Sequence, residues 1–350
     1  MRIGNRQIGG EYPCYLIAEM SGNHGGDIER AKEIIRQAKA AGADAVKIQV
    51  YRPDTITLNS DKEDFLIPAE NAWAQYQNLY NLYEYAHTPW GWIPQLIEVA
   101  QEVDIEIFGS VFDLTSVEFM EQCGCAAYKI ASPEINDVPL LRAVAATGKP
   151  VILSTGLADL ADLELAVDVL REAGCEDIVL LKCTTAYPAP AEEANLRTIS
   201  NLKETFGCLS GLSDHTVGAG VPVAAVALGA VMVEKHFTLE DEERTVDSFF
   251  SLTPSEFGEM VDAIRTAEQA LGSVVYGLTQ EAAKNRQGRR SLYISAPIKA
   301  GERFSKKNIK SVRPGYGLSP KYYDQALEMR AARDLQVGER LVWDVMEKES

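Results

Sequence analysis

The chain has little of what would place it in a membrane, on nucleic acid or outside the cell. None of its apolar runs approaches the ~20 residues that cross a bilayer, and a run such as 221–230 carries Pro222 inside it. The first residues, Met1 to Arg6, lack the apolar stretch and small-residue cleavage site of a secretory signal, so a cytoplasmic protein is expected. Its six cysteines (Cys14, Cys123, Cys125, Cys175, Cys183, Cys208) form no CxxC pair and no zinc spacing, which predicts reduced, mostly buried thiols. Basic residues are in deficit, 34 against 51 acidic for a net charge of −17, and such a chain offers no basic face to a phosphate backbone. Glycine and proline, 26 and 15 of 350 residues, are too thinly spread for collagen-like or low-complexity sequence. Ser21-Gly22-Asn23-His24-Gly25-Gly26 does not match GxGxxG, so the first turn of a dinucleotide-binding sheet is missing.

What is present is a rhythm. Eight short, nearly continuous apolar runs alternate with amphipathic helical stretches: 15–19, 45–49, 105–109, 127–131, 151–154, 178–183, 209–212 and 231–236. Runs without polar alternation suit parallel strands covered on both faces. Between them, stretches such as 29–40, 162–173 and 254–271 place apolar residues at helical spacing. Eight such units over 280 residues predict a TIM (β/α)8 barrel, with a doubly wound sheet as the alternative. After a polar linker at 281–289, residues 290–350 read as short strands and turns, a small second domain. The two parts differ in charge: from Glu281 onward basic residues outnumber acidic ones 15 to 9, whereas residues 1–280 hold 19 against 42. Opposite charges favour docking of one part on the other. An insertion after the second strand carries Trp73, Tyr76, Tyr80, Tyr83 and Trp90, rings whose spacing fits a packing stripe or a lid over the barrel mouth.

Barrel chemistry collects at the C-terminal ends of strands, and here every end is polar. In order they carry Glu19, Asn23 and His24; Lys47 and Gln49; Ser110; Lys129, Ser132 and Glu134; Ser154; Lys182, Thr184, Thr185 and Tyr187; Ser213 and His215; Glu234 and His236. Lysines at the ends of strands 2, 4 and 6, read as pointing inward, predict an anion held with Ser and Thr hydroxyls. His215 and His236 end neighbouring strands, so their imidazoles are expected to share one divalent ion of the Mn²⁺ or Mg²⁺ kind, with positions left open for substrate and water. Cys183, next to an inward Lys182, is expected to point away. His24 serves either proton transfer or the capping of the first turn, and His87 is structural.

These residues sit in phrases: Ile17-Ala-Glu-Met-Ser-Gly-Asn-His24, Lys47-Ile-Gln49, Tyr128-Lys-Ile-Ala-Ser132, Lys182-Cys-Thr-Thr-Ala-Tyr-Pro188, Gly211-Leu-Ser-Asp-His215, Glu234-Lys-His-Phe237 and Arg313-Pro-Gly-Tyr-Gly-Leu318. The series resembles the sialic acid synthase family along the whole chain, and 290–350 is similar to that family's antifreeze-like (SAF) domain. Glu19-Met-Ser-Gly-Asn-His24, Thr88-Pro-Trp90 and Arg290-Ser-Leu-Tyr293 look like its pseudaminic acid synthase branch. Thr185 departs from the Asn usual in the neuraminate branch.

The resemblance implies a phosphoenolpyruvate-dependent condensation with an open-chain acetamido sugar. For this branch the sugar would be 2,4-diacetamido-2,4,6-trideoxy-altrose, with N-acetylneuraminate or legionaminate synthesis as the alternative. Carbon 3 of phosphoenolpyruvate attacks the aldehyde, water adds to carbon 2, and phosphate leaves by C–O cleavage. In the roles implied, Lys129, Ser110, Ser132, Ser154, Thr185 and Ser213 bind phosphoenolpyruvate and Lys47 adds charge. Glu134 activates the water, and Glu19 orients the sugar. Asp247 contacts the sugar, and Arg313 reaches the partner's site in a domain-swapped homodimer. A Schiff-base aldolase, which would need one desolvated lysine, and a non-enzymatic carbohydrate-binding protein are the competing readings.

Overall fold

The computed structural model describes residues 1–240 and 244–348. A short hairpin of β1 (Arg2–Ile3) and β2 (Arg6–Gln7) precedes eight parallel strands: β3 (Tyr15–Glu19), β4 (Ala45–Val50), β5 (Glu106–Val111), β6 (Tyr128–Ile130), β7 (Val151–Ser154), β8 (Ile178–Cys183), β9 (Leu209–Asp214) and β10 (Met232–His236). They close in sequence order, β10 returning to β3 through pairs such as Glu234 with Ile17 and His236 with Glu19. The barrel expected from the eight apolar runs is therefore present, and the doubly wound alternative is not.

Two hydrophobic layers explain why the runs are nearly continuous. Tyr15, Ile17, Ala45, Phe108, Ile152, Val179, Leu181 and Met232 fill the barrel interior, closed at its N-terminal end by Ile3 and Ile8. Alternate residues, among them Leu16, Val46, Leu180 and Val233, face the surrounding helices. Each strand thus buries both faces. The helix Ile28–Ala40 shows how the outer layer is specified: Asp27 caps it by accepting the Glu29 N–H, and Ala31, Ile34, Ile35 and Ala38 form its buried stripe. Gly211 marks a tight point of the interior, since a Cβ there would lie 2.3 Å from the Met232 carbonyl oxygen.

The chain divides into compact units Met1–Gly272 and Ser273–Ser350, a division ahead of the linker expected at 281–289, which itself forms the exposed turns of helix Gln280–Lys284 and its continuation Arg286–Gly288. Unit two pairs β11 (Ser291–Ile294) with β12 (Ile309–Val312) and β13 (Met329–Ala331) with β14 (Met346–Lys348), both antiparallel, around Leu292, Phe304, Ile309, Leu335 and Leu341. Arg313 stands exposed at the start of the turn leaving β12. No helix of the described residues is long and apolar enough to cross a membrane.

Candidate active site

Strand parity decides which side chains reach the barrel mouth. Inward positions beyond the apolar interior bring Glu19, Lys47, Gln49, Lys129, Ser132, Ser154, Cys183, Tyr187, Ser213, His215, Glu234 and His236 around one cleft. In a roomier hollow lined by residues such as Ile3, Arg6, Asp44 and Glu106, Arg6 is tied to Asp44 at 2.6 Å.

The floor of the cleft is a buried ionic cluster. Lys47 Nζ lies 2.9 Å from Glu19 Oε2 and 3.3 Å from Glu234 Oε1, and it donates to Ser110 Oγ at 2.9 Å. Lys129 Nζ is looser, 4.0 Å from Glu234 Oε2 and, among the described residues, donating only to the Ile130 carbonyl at 3.2 Å. Burial disfavours every charge here, yet partners decide the outcome. For Lys47 the two carboxylates outweigh burial and hold the ammonium firmly protonated; for Lys129 burial wins and lowers it. Glu234, between two lysines, is drawn below the usual carboxylate range despite its burial, while burial keeps Glu19 above it. Lys129 is thus a cation short of an anion.

Several buried polar atoms beside this cluster lack hydrogen-bond partners among the described residues: Ser154 Oγ, Glu134 Oε2 and His236 Nδ1. Native proteins rarely leave such atoms unpaired, and Ser154 and His236 both line the cleft, which marks a ligand's place; Glu134 stands close by, outside the lining. Burial raises Glu134 to about 7, with Lys129 working in the opposite direction. Ser132 Oγ accepts the Gly156 N–H at 2.9 Å. A Cβ on Gly156 would meet Thr185 Oγ1 at 2.2 Å and Ser132 Oγ at 3.0 Å, so Thr185 belongs to the same wall.

The opposite wall is aromatic. His215 and His236 stand with ring centroids 5.3 Å apart, flanked by Tyr187 and Phe250. His215 Nδ1 donates to the Thr184 carbonyl at 2.8 Å, which leaves Nε2 as a lone pair. Burial holds His236 neutral, well below its ordinary range, and the nearby positive charges add to this. One imidazole oriented by its second nitrogen and another with a buried, unpartnered nitrogen fit a pair of ligands to a divalent cation. Among the described residues no group of three or more His, Cys, Asp or Glu side chains stands at metal-binding spacing.

Gln49 donates to Glu19 Oε1 at 2.9 Å and to Ser21 Oγ at 3.2 Å. Asp247, buried 3.9 Å from His236 Nδ1, accepts from Ser21 Oγ, and burial raises it to about 6 against that bond. Ser21 escaped the sequence reading. Its φ of 48° holds a serine where glycine is favoured, strain stored beside the site that the sequence does not display.

Two residues expected in the site are not there. Lys182 projects to the outer face of β8, where its Nζ donates to the Cys183 carbonyl at 2.6 Å and to Thr184 Oγ1 at 3.4 Å. The Thr184 hydroxyl donates to the Glu193 carbonyl at 3.2 Å, leaving only its carbonyl for His215. Cys183, expected to point away, lines the cleft instead: Val179 and Leu181 are the inward residues of β8, so parity carries position 183 inward and 182 outward. Burial would raise the Cys183 thiol, but the neighbouring His215 imidazole lowers it; the thiol in turn lifts His215 against burial. His24 is a cap: its Nδ1 accepts the Gly26 N–H at 3.1 Å, and burial lowers it to about 4. His87 bonds the Glu84 carbonyl.

Fold and site together define a (β/α)8-barrel enzyme with lysines, hydroxyls and paired imidazoles at its strand ends, followed by a small separate module. Residues 34–276 match the model of the NeuB family and residues 289–345 that of the SAF domain. The chain belongs to the NeuB family. It is 47% identical over 341 residues to a pseudaminic acid synthase of Campylobacter jejuni, covering 97% of this chain and 98% of that one. The pseudaminic acid synthase of Helicobacter pylori is 41% identical over 337 residues, 96% and 98% of the two chains. Among solved structures, the spore coat polysaccharide biosynthesis protein SpsE of Bacillus subtilis superposes with a TM-score of 0.68 at 33% identity, covering 100% of this chain and 99% of that one. The N-acetylneuraminic acid synthetase of Leptospira borgpetersenii, in complex with citrate, gives 0.71 at 32%, covering 81% and 94%.

Proposed function

We infer that this protein condenses phosphoenolpyruvate with open-chain 2,4-diacetamido-2,4,6-trideoxy-altrose, forming pseudaminic acid and releasing phosphate. The observation that carries the reading is the cleft in which Lys129, Ser132 and unpartnered Ser154 face the two imidazoles, an anion site set against an aldehyde site. Near full-length similarity to two pseudaminic acid synthases supports the sugar. A legionaminic acid is the second reading, favoured by the 34% identity to N,N'-diacetyllegionaminic acid synthase of Legionella pneumophila over 359 residues.

Lys129, Ser132, Ser154, Thr185 and Ser213 bind the phosphate and carboxylate oxygens, the ammonium gaining the anion that burial withholds. Lys47 fixes Glu19 and Glu234 and lends positive charge beneath the enol. Glu19, Gln49, Tyr187 and Asp247 orient the sugar. Glu134, with a carboxyl near 7, takes the proton of the water that adds to carbon 2. His215 and His236 would hold a divalent cation, manganese or magnesium. Such an ion, when bound, polarises the aldehyde oxygen. Use of phosphoenolpyruvate supports a cytoplasmic location. The acidic barrel and basic C-terminal module support a homodimer with exchanged modules, in which Arg313 of one chain reaches the sugar in the other.

Phosphoenolpyruvate labelled with ¹⁸O at the bridging oxygen tests the reaction. The label leaves with phosphate if carbon 2 is attacked by water; label retained in the product, or phosphate release independent of sugar, contradicts the proposal.

A further inference from the structure

Beside the cleft lies a second cavity that the roles above do not use. The cleft encloses about 70 Å³, whereas its neighbour holds about 800 Å³. Trp73, Tyr76, Thr238 and Phe249 are among the residues that line it. The two spaces share a wall: the Trp73 ring lies 5.4 Å from Tyr187, which lines the cleft, and 6.3 Å from Phe249, which stacks edge-on against Phe250.

The end of β10 links the cavities. Glu234 and His236 point into the cleft, and Thr238, two residues beyond the strand end, lines the neighbouring cavity, its N–H donating to the Leu252 carbonyl at 3.0 Å. At about 3.3 Å per residue the Thr238 Cα lies roughly 6.6 Å beyond that of His236, on the scale of a stretched six-carbon chain whose aldehyde meets the imidazoles. The Thr238 side chain is buried, 5% exposed, yet its Oγ1 has no hydrogen-bond partner among the described residues. An orphan hydroxyl of this kind calls for a ligand. Trp73 already donates its indole N–H to the Val246 carbonyl at 3.0 Å, so its ring presents only apolar surface. Phe249 is 50% exposed, an apolar face with room before it.

We propose that this cavity reads the far end of the sugar, accepting an N-acyl and a deoxy-methyl group where a common hexosamine has free hydroxyls. The proposal rests on the condensation proposed above. The aromatic faces of Trp73 and Phe249 take the methyl groups, and a free hydroxyl placed there would lose its hydrogen bonds to water without replacement. The Thr238 hydroxyl pairs with the amide. Selectivity among acetamido sugars then resides in this cavity, and the chemistry in the cleft.

The test compares phosphate release from phosphoenolpyruvate by native protein, Thr238→Val and Phe249→Ala. Each is given 2,4-diacetamido-2,4,6-trideoxy-altrose or the altro-configured 2-acetamido sugar with hydroxyls at carbons 4 and 6. Thr238→Val, close to isosteric, raises the KM of the diacetamido sugar about tenfold, while kcat and the KM for phosphoenolpyruvate stay within about twofold. Phe249→Ala narrows the kcat/KM preference between the sugars by about tenfold. Equal losses on both sugars, or unchanged selectivity in both variants, overturn the proposal. Native protein that turns over neither sugar refutes the condensation instead. The cavity is then judged by saturation-transfer NMR on the acetamido methyl protons: a signal lost in Phe249→Ala supports it, and one that persists overturns it.

Discussion

At Glu134 burial raises the carboxyl to about 7, so near neutral pH the group is divided between its two forms. As general base it acts ionised, and kcat/KM is expected to rise with pH through about 7 in native protein and to lose that limb in Glu134→Gln. Stability runs the other way. Between the ordinary 4.5 and about 7 the folded state binds more protons at this site than the unfolded chain, so stability falls as pH rises through that window. Glu134→Gln should therefore melt above native protein at pH 8, an advantage that shrinks toward pH 5; equal melting temperatures at pH 8 would contradict the burial argument. Lys129 offers the complementary case. Its contact with a phosphate or carboxylate oxygen is worth about 2 kcal/mol, so Lys129→Met is expected to raise the KM for phosphoenolpyruvate some tenfold to a hundredfold and move that of the sugar far less. Steady-state kinetics in both substrates check this. At this scale most of the cleft was legible, because polar residues at the ends of apolar runs stand out. Lys182 was misplaced because a run buried on both faces shows no alternation; only the inward Leu181 reveals that Cys183, not its lysine neighbour, faces the site.

Elements fix the distances that the residues need. β9 and β10 pair Asp214 with Lys235, and on their outer face these two form a buried ion pair at 2.5 Å, each side chain at most 2% exposed. The pair lies one residue before each imidazole and points the opposite way, so it pins the register of the two strand ends that present His215 and His236. Buried pairs contribute little net stability but are costly to break. Lys235→Met is expected to cost about 3–5 kcal/mol in denaturant unfolding by leaving the buried Asp214 carboxylate without its cation, held by the Thr216 N–H and hydroxyl. Lys235→Met combined with Asp214→Leu should recover most of that loss; a double variant no more stable than the single one would contradict this account. Element positions were largely legible, since β3, β7 and β8 fall on their expected apolar runs and the helix at 254–271 on its capped pattern. β5 and β9 extend beyond expectation, to Val111 and Asp214, because backbone pairing with their neighbours continues past the apolar residues. Trp73 and Tyr76 serve as packing against Leu82 and Val246 and as the wall of a cavity at once, a dual use that spacing alone does not separate.

On the scale of the whole molecule, the chain's two compact units carry opposite net charge, and Arg313 lies exposed on the second. The proposed exchange of modules is tested by mixing two inactive proteins, Arg313→Ala and His236→Ala, under conditions of subunit exchange. A module acting on its partner joins an intact barrel to an intact arginine in one of the two sites of a mixed dimer, so activity returns. A mixture that stays inactive despite demonstrated exchange contradicts it. The central claim is the reaction itself, and identification of the product tests it most directly. Protein with Mn²⁺ and phosphoenolpyruvate is given each candidate acetamido sugar in turn, and the product is identified by mass and NMR. The account predicts pseudaminic acid, formed with one phosphate released for each molecule, from 2,4-diacetamido-2,4,6-trideoxy-altrose in preference to the manno-configured sugars. A different nonulosonic acid formed preferentially, or no carbon–carbon bond formed with any acetamido sugar, would contradict it.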